Sequence, residues 1–348
     1  MTAASDAMSE TPLEPPPAVR APLSRTRPLF WSVRRELWEN RAIFVAPVVV
    51  AAVILAGFAI GMFSAPHLRT VHRATSVSSL NGAVVTHTES TVSHTVAVGG
   101  ATVTGPVSPA QQMALDHFPY GIAAVAMLVT LFLVAVFYCL GALHNERRDR
   151  SILFWKSLPV PDLTTVLSKA LVPLAIMPPV AFAVGLATQL IMAVMHAASL
   201  AAHGKSLDVV WSLPLLHMSL IQAYALVAMA LWWAPLYGWL LLVGGWARRA
   251  PFLWAVLPPL LLALAEKIAF NTAHVFDLVG DRITGGLGAA FVVPTKAQFA
   301  AASNIPNGWL PTPDIAKFVS TPGLWVGLAV AAALLAAAVW SRRYREPI

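Results

Sequence analysis

Residues 120–143 read YGIAAVAMLVTLFLVAVFYCLGAL, 24 positions without a charged side chain. As a helix this run covers about 36 Å, more than the roughly 30 Å of a bilayer's hydrocarbon core. Soluble cores seldom contain an apolar run of that length, so the stretch predicts a transmembrane helix. Five further runs share its character, at roughly 43–63, 170–195, 219–245, 252–272 and 323–341. Only 11% of the 348 residues are charged and 57% are hydrophobic. A soluble domain carries about 25% charge, so the deficit points to the membrane. The expected fold is an all-α integral membrane protein of about six spans. Prolines mark expected distortions: Pro178 and Pro179 in the third span, Pro235 as a kink in the long fourth, and Pro258 and Pro259 in the fifth.

Charge sets the orientation. With both termini placed inside, the cytoplasmic segments hold sixteen Lys and Arg and the outside segments six, with Lys267 in a span. The positive-inside rule therefore predicts cytoplasmic termini and an even number of spans. The net charge of +7 is explained by this clustering and does not call for nucleic acid.

Residues 1–28, rich in Pro, Ala, Ser and Thr, read as a disordered cytoplasmic tail. The remainder, 29–348, reads as one membrane domain with outer loops at 64–119 and 273–322. More than forty mostly polar residues precede the first apolar run, which excludes the pattern of a secretory signal peptide. Residues 29–42, LFWSVRRELWENRA, gather Phe30, Trp31, Val33, Leu37 and Trp38 on one arc, with Arg35, Glu36, Glu39 and Asn40 opposite. This predicts an interfacial amphipathic helix, with Arg34 and Arg41 snorkelling from the apolar arc. The outer loop 64–119 has period-2 stretches such as Val92–Val98, which predict short strands or a hairpin. Segment 273–322 is half apolar, and part of it is expected to dip back into the membrane, buried in protein.

The cytoplasmic loop after the second span, residues 144–162, mixes dense charge with Ile152, Leu153, Phe154 and Trp155. Two readings stand on physics alone: a docking helix for a partner, or aromatic anchoring at the lipid interface. Pro159 and Pro161 end the element, and Asp162 is placed to cap the third span.

Within this loop, Glu146-Arg147, then Ser151, then Ser157-Leu158-Pro159-Val160, then Lys169 resembles the loop of type-2 ABC exporter permeases. Pro161 stands where many members carry Ser. The six-span layout, the interfacial helix and the long outer segment before the last span are similar too. The resemblance implies a transport subunit in a bacterial inner membrane. It implies a cytoplasmic ABC ATPase as partner and a second permease subunit, identical or similar, with the pathway formed by the dimer. It further implies that Glu146, Arg147, Arg150, Phe154 and Trp155 form the ATPase-docking set.

No G-x-x-x-x-G-K-[ST] phosphate loop is present, so this chain is not expected to bind ATP or to be an enzyme itself. Glu266 and Lys267 are the only charges inside an expected span. They read either as lining or gating a pathway, or as groups partnered within the fold. Five histidines, His67, His72, His87, His94 and His117, lie in the first outer loop without metal-like spacing, and they read as surface residues. No catalytic residues, cofactor or metal are expected. The alternatives are a secondary transporter, disfavoured by the lack of midplane charges and internal repeats, and an intramembrane enzyme using Glu266.

Overall fold

The computed structural model describes residues 26–64, 69–80, 83–94, 96–98, 101–103, 109–148, 161–202, 204, 210, 213–292 and 311–344. The chain is an all-α membrane protein. Six helical segments are long and apolar enough to cross a bilayer: Ala42–Met62, His117–Arg148, Asp162–Ala202, Leu215–Trp232, Pro251–Phe270 and Pro322–Tyr344. The expected tail at 1–28 lies almost wholly outside the described residues.

In chain order, α1 (Thr26–Glu39) leads through a break at Asn40 into α2 (Ala42–Ser64). Strands β1 (Arg69–Leu80) and β2 (Ala83–His94) follow, then β3 (Val96–Val98) and β4 (Ala101–Val103). β1 and β2 pair antiparallel with Arg69 opposite His94 and Leu80 opposite Ala83. This is the hairpin that the period-2 pattern predicts. The long α3 (Pro109–Arg148) is followed by α4 (Asp162–Leu171), a π-helical turn at Val172–Ile176, and α5 (Met177–Ala202). Then come α6 (Leu215–Trp232), α7 (Ala234–Trp246) and α8 (Pro251–Phe270). A short set, α9 (His274–Gly280), a π turn at Asp281–Gly285, α10 (Gly286–Ala290), β5 (Phe291–Val292), β6 (Thr312–Pro313) and α11 (Ile315–Ser320), leads to α12 (Pro322–Tyr344).

The helix distortions follow from missing amide protons. Pro178 and Pro179 cannot donate to the turn before them, and the helix rewinds there as a π turn, with Met177 N–H bonded to Val172 O. Pro235 breaks the fourth span into α6 and α7 at Trp233. Pro258 and Pro259 lie within α8 without interrupting it. α8 ends where Asn271 takes a left-handed conformation (φ 51°) and donates its N–H to Lys267 O. Asn tolerates that conformation better than most residues.

α7 is the centre of the bundle, packed between α3 and α12. Two glycines permit this. A Cβ on Gly244 would lie 2.8 Å from Leu140 O of α3, and one on Gly238 would lie 3.2 Å from Ala331 O of α12. Tyr138, Tyr237, Leu240, Leu241 and Ala338 fill the surrounding core. α8 is held more loosely: only Ala255 among its residues is buried. Trp239 Nε1 donates to Ala255 O at 3.0 Å, and Trp246 meets Trp254 edge to face.

Part of the segment before α12 packs against α6 and the start of α12. At its turn Arg282 donates to Trp232 O and Gly323 O and lies over the Trp232 ring, 4.6 Å from the centroid. Trp232 is the last residue of α6 and Gly323 lies in the first turn of α12, so the π turn sits between those two helix ends. Gly286 permits the close packing there, since a Cβ would collide with Trp232 and Met229. Trp232 Nε1 and Trp233 Nε1 donate to Asp281 O and Ile283 O, which satisfies carbonyls that lipid could not.

Candidate functional site

At the basic end of the bundle, four helices bring charged side chains to one buried point. α1 supplies Arg35 and Glu36, α3 supplies Glu146, α4 supplies Asp162 and Lys169, and α12 supplies Arg342. Lys169 Nζ donates to Glu36 Oε1 at 2.6 Å and lies 3.1 Å from Glu146 Oε1. Arg342 spreads its guanidinium over two acids, with Nη1 donating to Glu146 Oε2 at 2.6 Å and Nε to Asp162 Oδ1 at 2.9 Å. Arg35 Nη2 donates to Glu146 Oε1 at 3.2 Å, and Tyr138 OH donates to Glu36 Oε2 at 3.0 Å. The three carboxylates Glu36, Glu146 and Asp162 thus face the three cations Arg35, Lys169 and Arg342. Buried charge is tolerated only when paired in this way.

The cluster corrects two expectations. Asp162 does not cap its helix. The N-cap position belongs to Pro161, no side chain caps it, and the Asp162 carboxylate turns to Arg342 instead. α1 is amphipathic as expected, but Glu36 of its polar face is buried in the protein. The aromatic face looks outward, with Trp38 72% exposed and Phe30 and Trp31 also exposed. Arg34 lies over Trp31 and Trp38, at 5.3 and 5.7 Å from the ring centroids. Burial works against the charge of Arg35, but Glu39, Glu146 and Glu36 outweigh it and hold the guanidinium more firmly protonated than usual.

A second set of contacts lies beside the cluster. Arg147 Nη1 donates to Gly245 O at 2.6 Å, and His144 Nδ1 sits 3.2 Å from Ala247 O, where its N–H tautomer donates. These bonds occupy carbonyls at the C-terminal end of α7 and fix it to the last turn of α3. Of the residues expected to dock a partner, Glu146 and Arg147 are buried and bonded within the chain. Arg150, Phe154 and Trp155 lie outside the described residues. The sequence singled out Glu146 and Arg147 but gave no sign of Glu36, Lys169 or Arg342 as their neighbours.

Glu266 sits at the other end of the molecule. Its Oε1 accepts from Thr272 Oγ1 at 2.6 Å and His274 N at 2.8 Å, and its Oε2 accepts from Val275 N at 2.8 Å. It therefore closes the first turn of α9 and fixes the link between α8 and α9. Lys267 is exposed, with Nζ 3.5 Å from Asn271 O. Comparison with known protein families, with curated proteins and with solved structures found no match.

Proposed function

We propose that this chain is the membrane subunit of an ATP-driven exporter of the type-2 ABC class. It would work as a dimer with a second permease subunit and be driven by a separate cytoplasmic ATPase in a bacterial inner membrane. One observation carries the reading. The loop at 149–160 lies between α3 and α4, and the Arg342 guanidinium holds both of its ends at once, through Glu146 before it and Asp162 after it. Lys169 and Arg35 extend the same grip to α1. A partner that pushes on this loop would act on the first helix, the second and third spans and the last span together. Such a lever suits energy supplied from outside the membrane. The occupied carboxylate of Glu266 gives no comparable support to an intramembrane enzyme.

The test is copurification of the tagged chain from its native membrane in mild detergent, followed by assay of ATP hydrolysis. The expected result is an associated ATPase, lost in Trp155→Ala. A folded, pure chain that never brings an ATPase with it would refute the proposal.

A further inference from the structure

At the end of the bundle opposite the ion cluster lies a cavity of about 540 Å³, bounded by α3, α5, α6 and by Leu287, Phe291 and Pro311 of the segment before α12. Ligand sites typically occupy about 300–1,000 Å³, so the space suits a small molecule. Its wall is almost wholly apolar and, among the described residues, holds no Lys, Arg, Asp or Glu. Phe118 and Val125, two of its lining residues, are also exposed on the outer face of α3, at 44% and 59%. The cavity therefore communicates with the surface that lipid covers.

The polar side chains at this wall are His117, Tyr120 and a pair of glutamines. Gln189 of α5 and Gln222 of α6, each 2% exposed, share a single hydrogen bond, Gln189 Nε2 to Gln222 Oε1 at 2.9 Å. Gln189 Oε1 and Gln222 Nε2 have no hydrogen-bond partner among the described residues. Turning both amides over changes which atoms are left, but one acceptor and one donor remain either way. Buried polar atoms are nearly always paired, and an unpaired one is costly. A pair that bonds once across two helices and leaves one donor and one acceptor beside an apolar cavity is suited to a group that both accepts and donates.

We infer that this cavity binds a neutral, membrane-dissolved molecule with an apolar body and a single hydroxyl, the hydroxyl bonding to the Gln189–Gln222 pair. An ionised headgroup is disfavoured, since no Lys, Arg, Asp or Glu among the described residues lines the space. A pure hydrocarbon would leave the amide atoms unpaired. The site does not depend on coupling to an ATPase, so it stands apart from the exporter reading.

The test uses the full chain in phospholipid nanodiscs and a dodecanol analogue bearing an aliphatic diazirine. The labelled peptides are identified after photolysis, with dodecan-1-ol or dodecane as competitor. Labelling is expected on the cavity faces of α3 and α6, with dodecanol competing about tenfold better than dodecane, as one recovered buried hydrogen bond implies. The double variant Gln189→Leu/Gln222→Leu removes both amides together and so leaves no orphan. It should fold and should lose the preference for alcohol over alkane. Ala225→Trp, which fills the cavity, should abolish saturable labelling while the fold is retained. Labelling spread evenly over lipid-facing helices, or an alcohol preference unchanged in the double variant, would overturn the assignment.

Discussion

Lys169 and Glu36 stand 133 positions apart in the chain, yet their side chains meet at 2.6 Å with 1% and 3% of their surface exposed. The pair joins the helix before the first span to the start of the third. Replacing one member leaves the other charged and buried, which costs about 3–5 kcal/mol. Lys169→Met should therefore destabilise the protein by about that amount in detergent unfolding. Glu36→Gln combined with Lys169→Met should cost less than the sum of the single changes, because the two interact directly.

Arg342 depends on its shape as well as its charge. Its Nη1 and Nε reach two different carboxylates, Glu146 and Asp162. Lysine offers a compact ammonium that cannot reproduce this fork. Arg342→Lys should keep the chain folded but loosen one end of the loop. Faster hydrogen exchange in the first turn of α4 than in the wild type would register it. Exchange equal to the wild type would show that the bridge is dispensable.

The seam between α3 and α7 depends on close backbone approach. Gly244→Val would drive a side chain into Leu140 O, and overpacking of this kind costs about 1–3 kcal/mol. Gly57→Val provides the control, since nothing lies within 4 Å of a Cβ there. The first should lower the unfolding temperature and the second should leave it nearly unchanged.

Glu266 is a structural cap by its contacts. Glu266→Ala should lower thermal stability and speed exchange of the His274 and Val275 amides, which lose their acceptor. The activity of the folded fraction should be unaltered. A variant of normal stability with altered activity would return Glu266 to a pathway role.

Much of the fold was legible in the sequence because span length and proline chemistry are local. The six apolar runs all appear as helices, four within about four residues of their expected ends, whereas the second begins at Pro109 and the third runs from Asp162 to Ala202. The distortions before Pro178 and at Pro235 follow from amides that do not exist. The cluster was less legible. Amphipathicity divides α1 into two faces but does not say that the polar one packs against protein, where Lys169, far along the chain, meets Glu36. Asp162 looked like a cap because its position suits one, whereas Arg342, 180 residues away, claims its carboxylate. The glutamine pair gave no local signal either, since Gln189 and Gln222 each sit alone in an apolar run.

The central claim is that the ion cluster carries motion from the 149–160 loop to the helices around it. The most direct measurement places an environment-sensitive dye on α1 through Trp38→Cys, an outward-facing position, in the complex copurified with its ATPase. The dye signal is then followed as a non-hydrolysable ATP analogue is added. The account predicts a clear change that is abolished by Glu146→Gln while the ATPase remains bound. A signal that responds equally in wild type and Glu146→Gln, or that does not respond in the wild-type complex, would contradict it.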